Sequence, residues 1–351
     1  MANKRIFYAV QQVAVAPVGT DGAGSFTAAH TVWGLQSVGI TTNFNLEQLF
    51  EMGQIAIYQN IENLPDIEVT LEKVLDGAPL IYHLATPTAT SPTLNGRANV
   101  KSTVALSIFN DAQDAASGAA ISEVIMSGMF VSALNYNFPV DGNFSESVTL
   151  VGNNKVWHSG GGATFYPGRN TGTDSPNAPE GVNRRQHIIF GSGATATKLP
   201  AGVGGVDGID TNGYNLITGE DYGAHIQGIR VTCNMGRENL NELGRKGPFH
   251  RYVPFPVEVR TEIECLSTRG DMVEATEAGV LGNGNNLSDK VIDIRVQEGT
   301  RINLGSKNKL ASVTYGNANA GTRGGNATVT YTYSTFSDMT VTHPADPAGL
   351  T

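Results

Sequence analysis

At 351 residues the chain exceeds one ordinary domain and has the length of two domains of about 150 residues each. Apolar residues make up 40% of it, enough for real cores, while charged residues make up only 16% and glycine occupies 42 positions, so an uncharged polar surface and a turn-rich, β-rich fold are expected. A net charge of −9 argues against a protein that grips nucleic acid through clustered Lys and Arg, yet it suits a wall that a polyanion slides past.

In chain order, Met1–Arg5 is polar, and Gln11 and Gln12 interrupt the apolar residues next to it, so no secretory leader is expected. No stretch approaches the roughly 20 apolar residues of a membrane span. Arg5–Phe7 is the first predicted strand. Residues 35–53, LQSVGITTNFNLEQLFEMG, come next as an extended segment, and Pro65–Glu72 alternates apolar and polar residues as a strand with one buried face does. Asp111–Ile125, with Ala115, Ala116, Ala119 and Ala120, is the best helix candidate. Leu134, Tyr136 and Phe138 precede the turn Asp141-Gly142-Asn143, with Val148 and Leu150 after it, which predicts a hairpin.

Ser159–Asn183 is rich in Gly, Asn, Thr and Pro and reads as a linker or surface excursion. Beyond it come a short strand at His187–Phe190, an alternating strand at Phe255–Glu262 and a weaker helix candidate at Asp271–Ala278. A second hairpin has Val313 and Tyr315 before Gly324-Gly325-Asn326, and Val329, Tyr331 and Tyr333 after it.

The second half repeats the first. Residues 226–244, IQGIRVTCNMGRENLNELG, match 35–53 at a constant offset of 191 with seven identities: Gln36/Gln227, Thr41/Thr232, Asn43/Asn234, Glu47/Glu238, Leu49/Leu240, Glu51/Glu242 and Gly53/Gly244. A random pairing of that length gives about one, so shared ancestry is the economical reading. Pro65–Glu72 faces Phe255–Glu262, Ser132–Tyr136 faces Ala311–Tyr315, Asp141–Asn143 faces Gly324–Asn326, and Arg5–Phe7 faces His187–Phe190. Two tandem copies of one antiparallel β-sandwich or barrel domain, each with a short flanking helix, are therefore expected at 1–157 and 184–345, with 158–183 between them and 346–351 as a C-terminal tail.

Signals for chemistry are missing. The seven histidines are scattered with no HExxH, no GxxxxGK[ST] or GxSxG occurs, and Asp207 breaks a GxGxxG reading of Ala201–Gly208. Glu68 and Glu72 fall on one face of a strand, and Cys233 and Cys265 read as reduced structural thiols. No catalytic residue, cofactor or metal is predicted.

The run Gly39-Ile40-Thr41-Thr42-Asn43-Phe44-Asn45-Leu46-Glu47-Gln48-Leu49-Phe50-Glu51-Met52-Gly53-Gln54-Ile55-Ala56-Ile57-Tyr58, with Leu64–Leu71 after it, resembles the tail-tube proteins of long-tailed bacteriophages, relatives of the tubes of type VI secretion and contractile bacteriocins. The resemblance is strongest in the first half and reaches the second through the repeat. It implies two packed antiparallel sheets with a flanking helix, joined side by side into a ring around an open channel. The implied function is a non-enzymatic virion component, assembled in the host bacterial cytoplasm. Its partners would be other copies of itself, a tape-measure protein, baseplate and tail-terminator proteins, with or without a sheath, and DNA passing through without specific binding; no membrane is involved.

A chain with two such domains can close a ring from three copies with pseudo-sixfold appearance. The expected assembly residues are Asn43, Glu47 and Glu51 in the first copy and Asn234, Arg237, Glu238, Glu242, Arg245 and Lys246 in the second. The first loop is acidic and the second carries Arg237, Arg245, Lys246 and Arg251, so opposite charge is expected to set register between subunits or rings. Alternatives are another tail, baseplate or capsid-decoration protein, or a carbohydrate-binding β-sandwich, for which two tryptophans, Trp33 and Trp157, supply a poor aromatic platform.

Overall fold

The computed structural model describes residues 5–18, 26–111, 120–159, 181–190, 195–200, 203, 225–267, 270–271, 273, 275, 289–316 and 325–350. Antiparallel strands dominate, as the composition and alternation lead one to expect. The first half contains β1 (Gln11–Pro17), β2 (Leu35–Asn43), β3 (Leu46–Phe50), β4 (Ile57–Glu62), β5 (Asp66–Val74), β6 (Ser102–Ile108), β7 (Ser122–Pro139), β8 (Ser145–Gly152) and β9 (Val156–Ser159). The second contains β10 (His225–Asn234), β11 (Glu238–Leu240), β12 (His250–Tyr252), β13 (Glu258–Leu266), β14 (Asp293–Arg295), β15 (Arg301–Asn303), β16 (Lys309–Gly316), β17 (Thr328–Phe336) and β18 (Thr340–Thr342).

One long sheet runs β2-β5-β8-β7-β10-β13-β17-β16, crossing from the first half to the second at the β7–β10 ladder. Its inner face is apolar because Ile67, Val69 and Leu71 alternate with exposed Asp66, Glu68 and polar Thr70, and β13 alternates in the same way. The N-terminal part of β7 leaves this sheet and pairs with β6 and β9, while β1 pairs β6. Val13, Val15, Val104, Leu106, Val124 and Met126 from this second layer share one core with the inner face of the long sheet. In the second half a smaller three-stranded sheet, β14-β15-β18, adds Ile294, Ile302 and Val341 to the same core.

Several local features recur in the two halves at matching positions. Gln36 and Gln227 are both the extra residue at a register shift, and each donates its side-chain amide to a backbone carbonyl two residues earlier. Ser132 and Ala311 are extra residues at shifts in β7 and β16. Asn45 and Gly236 both take positive φ, 48° and 43°, and their N–H groups bond the side chains of Asn43 and Asn234. The hairpins β3–β4 and β11–β12 pair Leu49 with Gln59 and Leu240 with His250, the same register at the offset of 191.

Several expectations need correction. Arg5–Phe7 is not a strand; the N-terminal strand is β1, whose Gln12–Ala16 are buried on both faces and so show no alternation. Of Asp111–Ile125, residues 112–119 lie outside the described residues, and Ser122–Ile125 open β7 rather than a helix, with β6 and β9 satisfying their backbone groups on either side. Of Asp271–Ala278, the described Asp271, Val273 and Ala275 are not helical and the rest lie outside the described residues. Helix occurs instead at α1 (Ile81–Ala85) and α2 (Leu94–Ala98). The ladders set β5 against β13 with Val69 in the place of Thr261, two residues from the match read in the sequence. Ser159 belongs to β9, residues 160–180 lie outside the described residues, and Asp346, counted in the tail, is buried beside Arg97.

Candidate assembly edges

The long sheet ends in two strands with no partner on one side among the described residues, β2 and β16. An open edge presents a row of unpaired N–H and C=O groups and is a ready template for another strand. In β2, Val38 and Ile40 lean against the core only in part, and in β16 Leu310 and Val313 do the same. Tyr315 in β16 is 53% exposed.

The interior joint between β7 and β10 is a completed version of such an edge. Tyr136 lies opposite Val231 and Leu134 opposite Cys233, all four buried. The backbone ladder runs from Gly228 opposite Pro139 to Asn234 opposite Ala133, extended by Met235 N–H to Ser132 O (2.8 Å) and Val140 N–H to Gln227 O (2.8 Å). Behind it, buried Glu146 accepts from Ile81 N (2.6 Å), Tyr82 N (3.2 Å) and Tyr136 Oη (3.0 Å), which fixes α1 against the sheet. Burial raises the Glu146 carboxyl above the usual carboxylate range.

Across the face opposite the core, one ladder row reads Ser37, Glu72, Ser147, Asn135, Thr232, Arg260, Ser334, Lys309. Every one of the eight strands contributes a polar or charged side chain. Along the first half this face carries Asp66, Glu68 and Glu72, because the alternation that buries Ile67, Val69 and Leu71 turns these carboxylates outward.

The structure places the predicted assembly residues unevenly. Asn43 ends β2, and Glu47 on β3 and Glu51 at the tip of that hairpin are exposed. The same hairpin exposes Leu46 (64%), Phe50 (62%), Met52 (101%) and Ile55 (103%), an apolar arm that the reading by charge overlooked. Asn234 ends β10, and Glu238, Glu242, Arg245 and Lys246 lie exposed on the second hairpin, where Arg245 pairs with Glu242 at 3.1 Å.

Arg237 differs from the rest. Its guanidinium donates to Val131 O (2.7 Å), Ala98 O (2.7 Å) and Arg251 O (3.2 Å) and lies 4.7 Å from the Phe130 ring centroid. It is already engaged inside the chain, clasping the second hairpin to the first half, and burial pulls its pKa down to about 10. Arg251 adds an ion pair to Asp66 (3.1 Å) and a bond to Asn153 Oδ1 (2.7 Å). No sequence signal separates these two arginines from exposed Arg245, since all three sit in one basic stretch.

Cys233 and Cys265 are unpaired and buried, with thiols pushed up to about 12 by burial. No group of three or more His, Cys, Asp or Glu suited to a metal occurs among the described residues. Trp33 is buried, leaving Trp157 as the exposed indole.

No protein-family model and no curated protein matches the chain in sequence. Solved structures similar to it include a chain of the sheath–tube complex of PVC, an extracellular contractile injection system, in the extended state (15% identity, TM-score 0.32, covering 45% of this chain and 93% of that one). Others are the tube-terminating cap of the anti-feeding prophage (14%, 0.33, 46% and 95%) and a chain of the baseplate of that particle (10%, 0.33, 45% and 98%).

Proposed function

We propose that this chain is a structural subunit of a bacteriophage-type tail tube, a duplicated sheet module whose copies join edge to edge into rings, three chains to a ring, stacked around a channel for DNA. The observation that carries this reading is the unbroken polar row on the open face of an eight-stranded sheet whose two edge strands lack an outer partner among the described residues. A channel wall needs side chains that hydrate well and do not hold phosphates; Ser, Thr, Asn and carboxylates meet that need, and the two cations of the row are paired with carboxylates, Arg260 with Glu262 (3.6 Å) and Lys309 with Asp289 (2.7 Å). The matching register shifts and hairpin registers of the two halves support duplication, and the β7–β10 ladder supports side-by-side joining.

In this role the tube grows around a tape-measure protein and meets baseplate and terminator proteins at its ends, with or without a sheath. It belongs to the virion tail, is assembled in the bacterial host cytoplasm, and performs no catalysis. Negative-stain microscopy of the purified chain tests the reading. Rings or tubes of uniform diameter are expected; single particles at every concentration and salt tried would refute it.

A further inference from the structure

The chain contains its own template for the contact between subunits. Position by position, the shared register shifts place β2 where β10 stands and β16 where β7 stands: Gln36 corresponds to Gln227 and Ser132 to Ala311. Counting from these points, Ile40 takes the place of Val231, and Tyr315 that of Tyr136. The interior members, Val231 (1%) and Tyr136 (0%), are buried against each other's strands, while the outer members are left half-buried or exposed at the two edges.

We infer that β2 of one copy pairs antiparallel with β16 of the next in the register of the interior joint, with Ile40 opposite Tyr315, Thr42 opposite Val313, Thr41 opposite Thr314 and Asn43 opposite Ser312. This rests on the tube reading and adds its contact surface, residue by residue. The occupant of each edge is a second copy of this chain because each edge is the complement of the other. Tyr315 has one face on its own sheet and a free face awaiting a neighbour, and Ile40 is the residue that the interior joint sets against it.

The two joints share a ladder but not a clasp. Where the interior joint has Arg237 and Arg251, the repeat places Leu46 and Asn60 on the first hairpin. The outer joint therefore lacks the buried guanidinium contacts and is the one that forms and separates during assembly.

Within the ladder, Met235 N–H to Ser132 O and Val140 N–H to Gln227 O mark the hydrogen-bonded pairs, which alternate with non-hydrogen-bonded pairs such as Thr232 and Asn135. Thr41 and Thr314 are the outer counterparts of that last pair, and a non-hydrogen-bonded pair has a Cα separation of about 4.5 Å, within disulfide reach. Both threonines are exposed, so cysteine is tolerated at each. Within one chain the two edges are separated by seven strand spacings, about 33 Å, so a disulfide between them reports a contact between chains. The native thiols are buried and do not compete.

The test uses the full chain carrying Thr41→Cys and Thr314→Cys, assembled under reducing conditions, then oxidised and run on a non-reducing gel beside the single variants and beside Thr41→Cys with Ser312→Cys, a pair two residues out of register. Covalent multimers from the 41/314 pair, well above those from the other three, are the expected result. Assemblies visible by microscopy that cross-link better through 41/312, or through neither pair, overturn the register and leave the tube reading standing. Absence of any assembly by the unmodified chain overturns the tube reading and the register together.

Discussion

Tyr136 lies opposite Val231 across the ladder between the two halves, with exposures of 0% and 1%. One strand from each half thus closes over a common apolar layer, and Tyr136 Oη also satisfies Glu146. Truncating Tyr136 to alanine should lower stability by about 3–5 kcal/mol, as for other large buried aromatics. Tyr315→Ala, at 53% exposure, should change monomer stability far less and instead suppress assembly. Urea unfolding of both variants with sedimentation of the assembled fraction checks this; equal effects of the two on the monomer would remove the distinction between inner and outer joints.

Arg237→Ala removes a charged donor from Ala98 O and Val131 O and a cation from the Phe130 face. A loss of about 2–3 kcal/mol is expected in denaturant unfolding, since hydrogen bonds from charged groups are worth more than neutral ones. Arg237→Lys should recover only part of it, because one ammonium cannot span the same carbonyls. Complete recovery would contradict a clasp that depends on the guanidinium fork.

Arg245 and Lys246 remain exposed, the former paired with Glu242 of its own hairpin. Exchanging both for glutamate should slow polymerisation at low ionic strength and matter little once salt shortens the screening length to about 8–10 Å or less. Turbidity or sedimentation at two salt concentrations reads the effect. Unchanged polymerisation at low salt would take opposite charge out of the account of how subunits find register.

Asp346 ties the end of the second half to the first. It is paired with buried Arg97, which also donates to Thr86 Oγ1 at 2.8 Å. Asp346→Ala leaves the Arg97 charge buried without its counter-ion, and breaking such pairs costs about 3–5 kcal/mol. A thermal or denaturant midpoint close to that of the parent chain would contradict this.

His343 and His83 pack near this pair with ring centroids 6.3 Å apart. Burial, with a smaller contribution from Lys73, holds the His343 pKa at about 4 against 6.5 for a free imidazole. The unfolded chain therefore binds a proton here that the folded chain does not, so this group's contribution to stability is full above pH 6.5 and is lost progressively as pH falls to about 4. The loss across that window amounts to about 3 kcal/mol. His343→Asn retains an acceptor for Ala345 N–H and should flatten that part of the stability–pH profile. A profile as steep as the parent's would assign the acid sensitivity elsewhere.

How much of this was legible in the sequence depends on what each element faces. β5 and β13 are half-buried, so alternation revealed them, but a two-residue slip leaves alternation intact, and only the ladder sets Val69 against Thr261. β1 and the start of β7 are covered on both faces and so lack a period. Helices α1 and α2 are five residues each and are held by tertiary contacts, α1 by Glu146 from β8 and α2 by Leu94 N–H to Met339 O and by the Arg97–Asp346 pair, which short-range pattern does not encode. The repeated segments lie on the β3–β4 and β11–β12 hairpins, yet charge alone directed attention to Arg237, whose donors serve its own chain, and away from the apolar arm around Phe50 and Ile55.

Closure of these sheets around a hollow axis is tested most directly by two-dimensional averages of the assembled protein viewed end-on. The account predicts an annulus with an open centre and six similar lobes contributed by three chains. A filled centre, or a ring whose lobe count is not twice its number of chains, would contradict it.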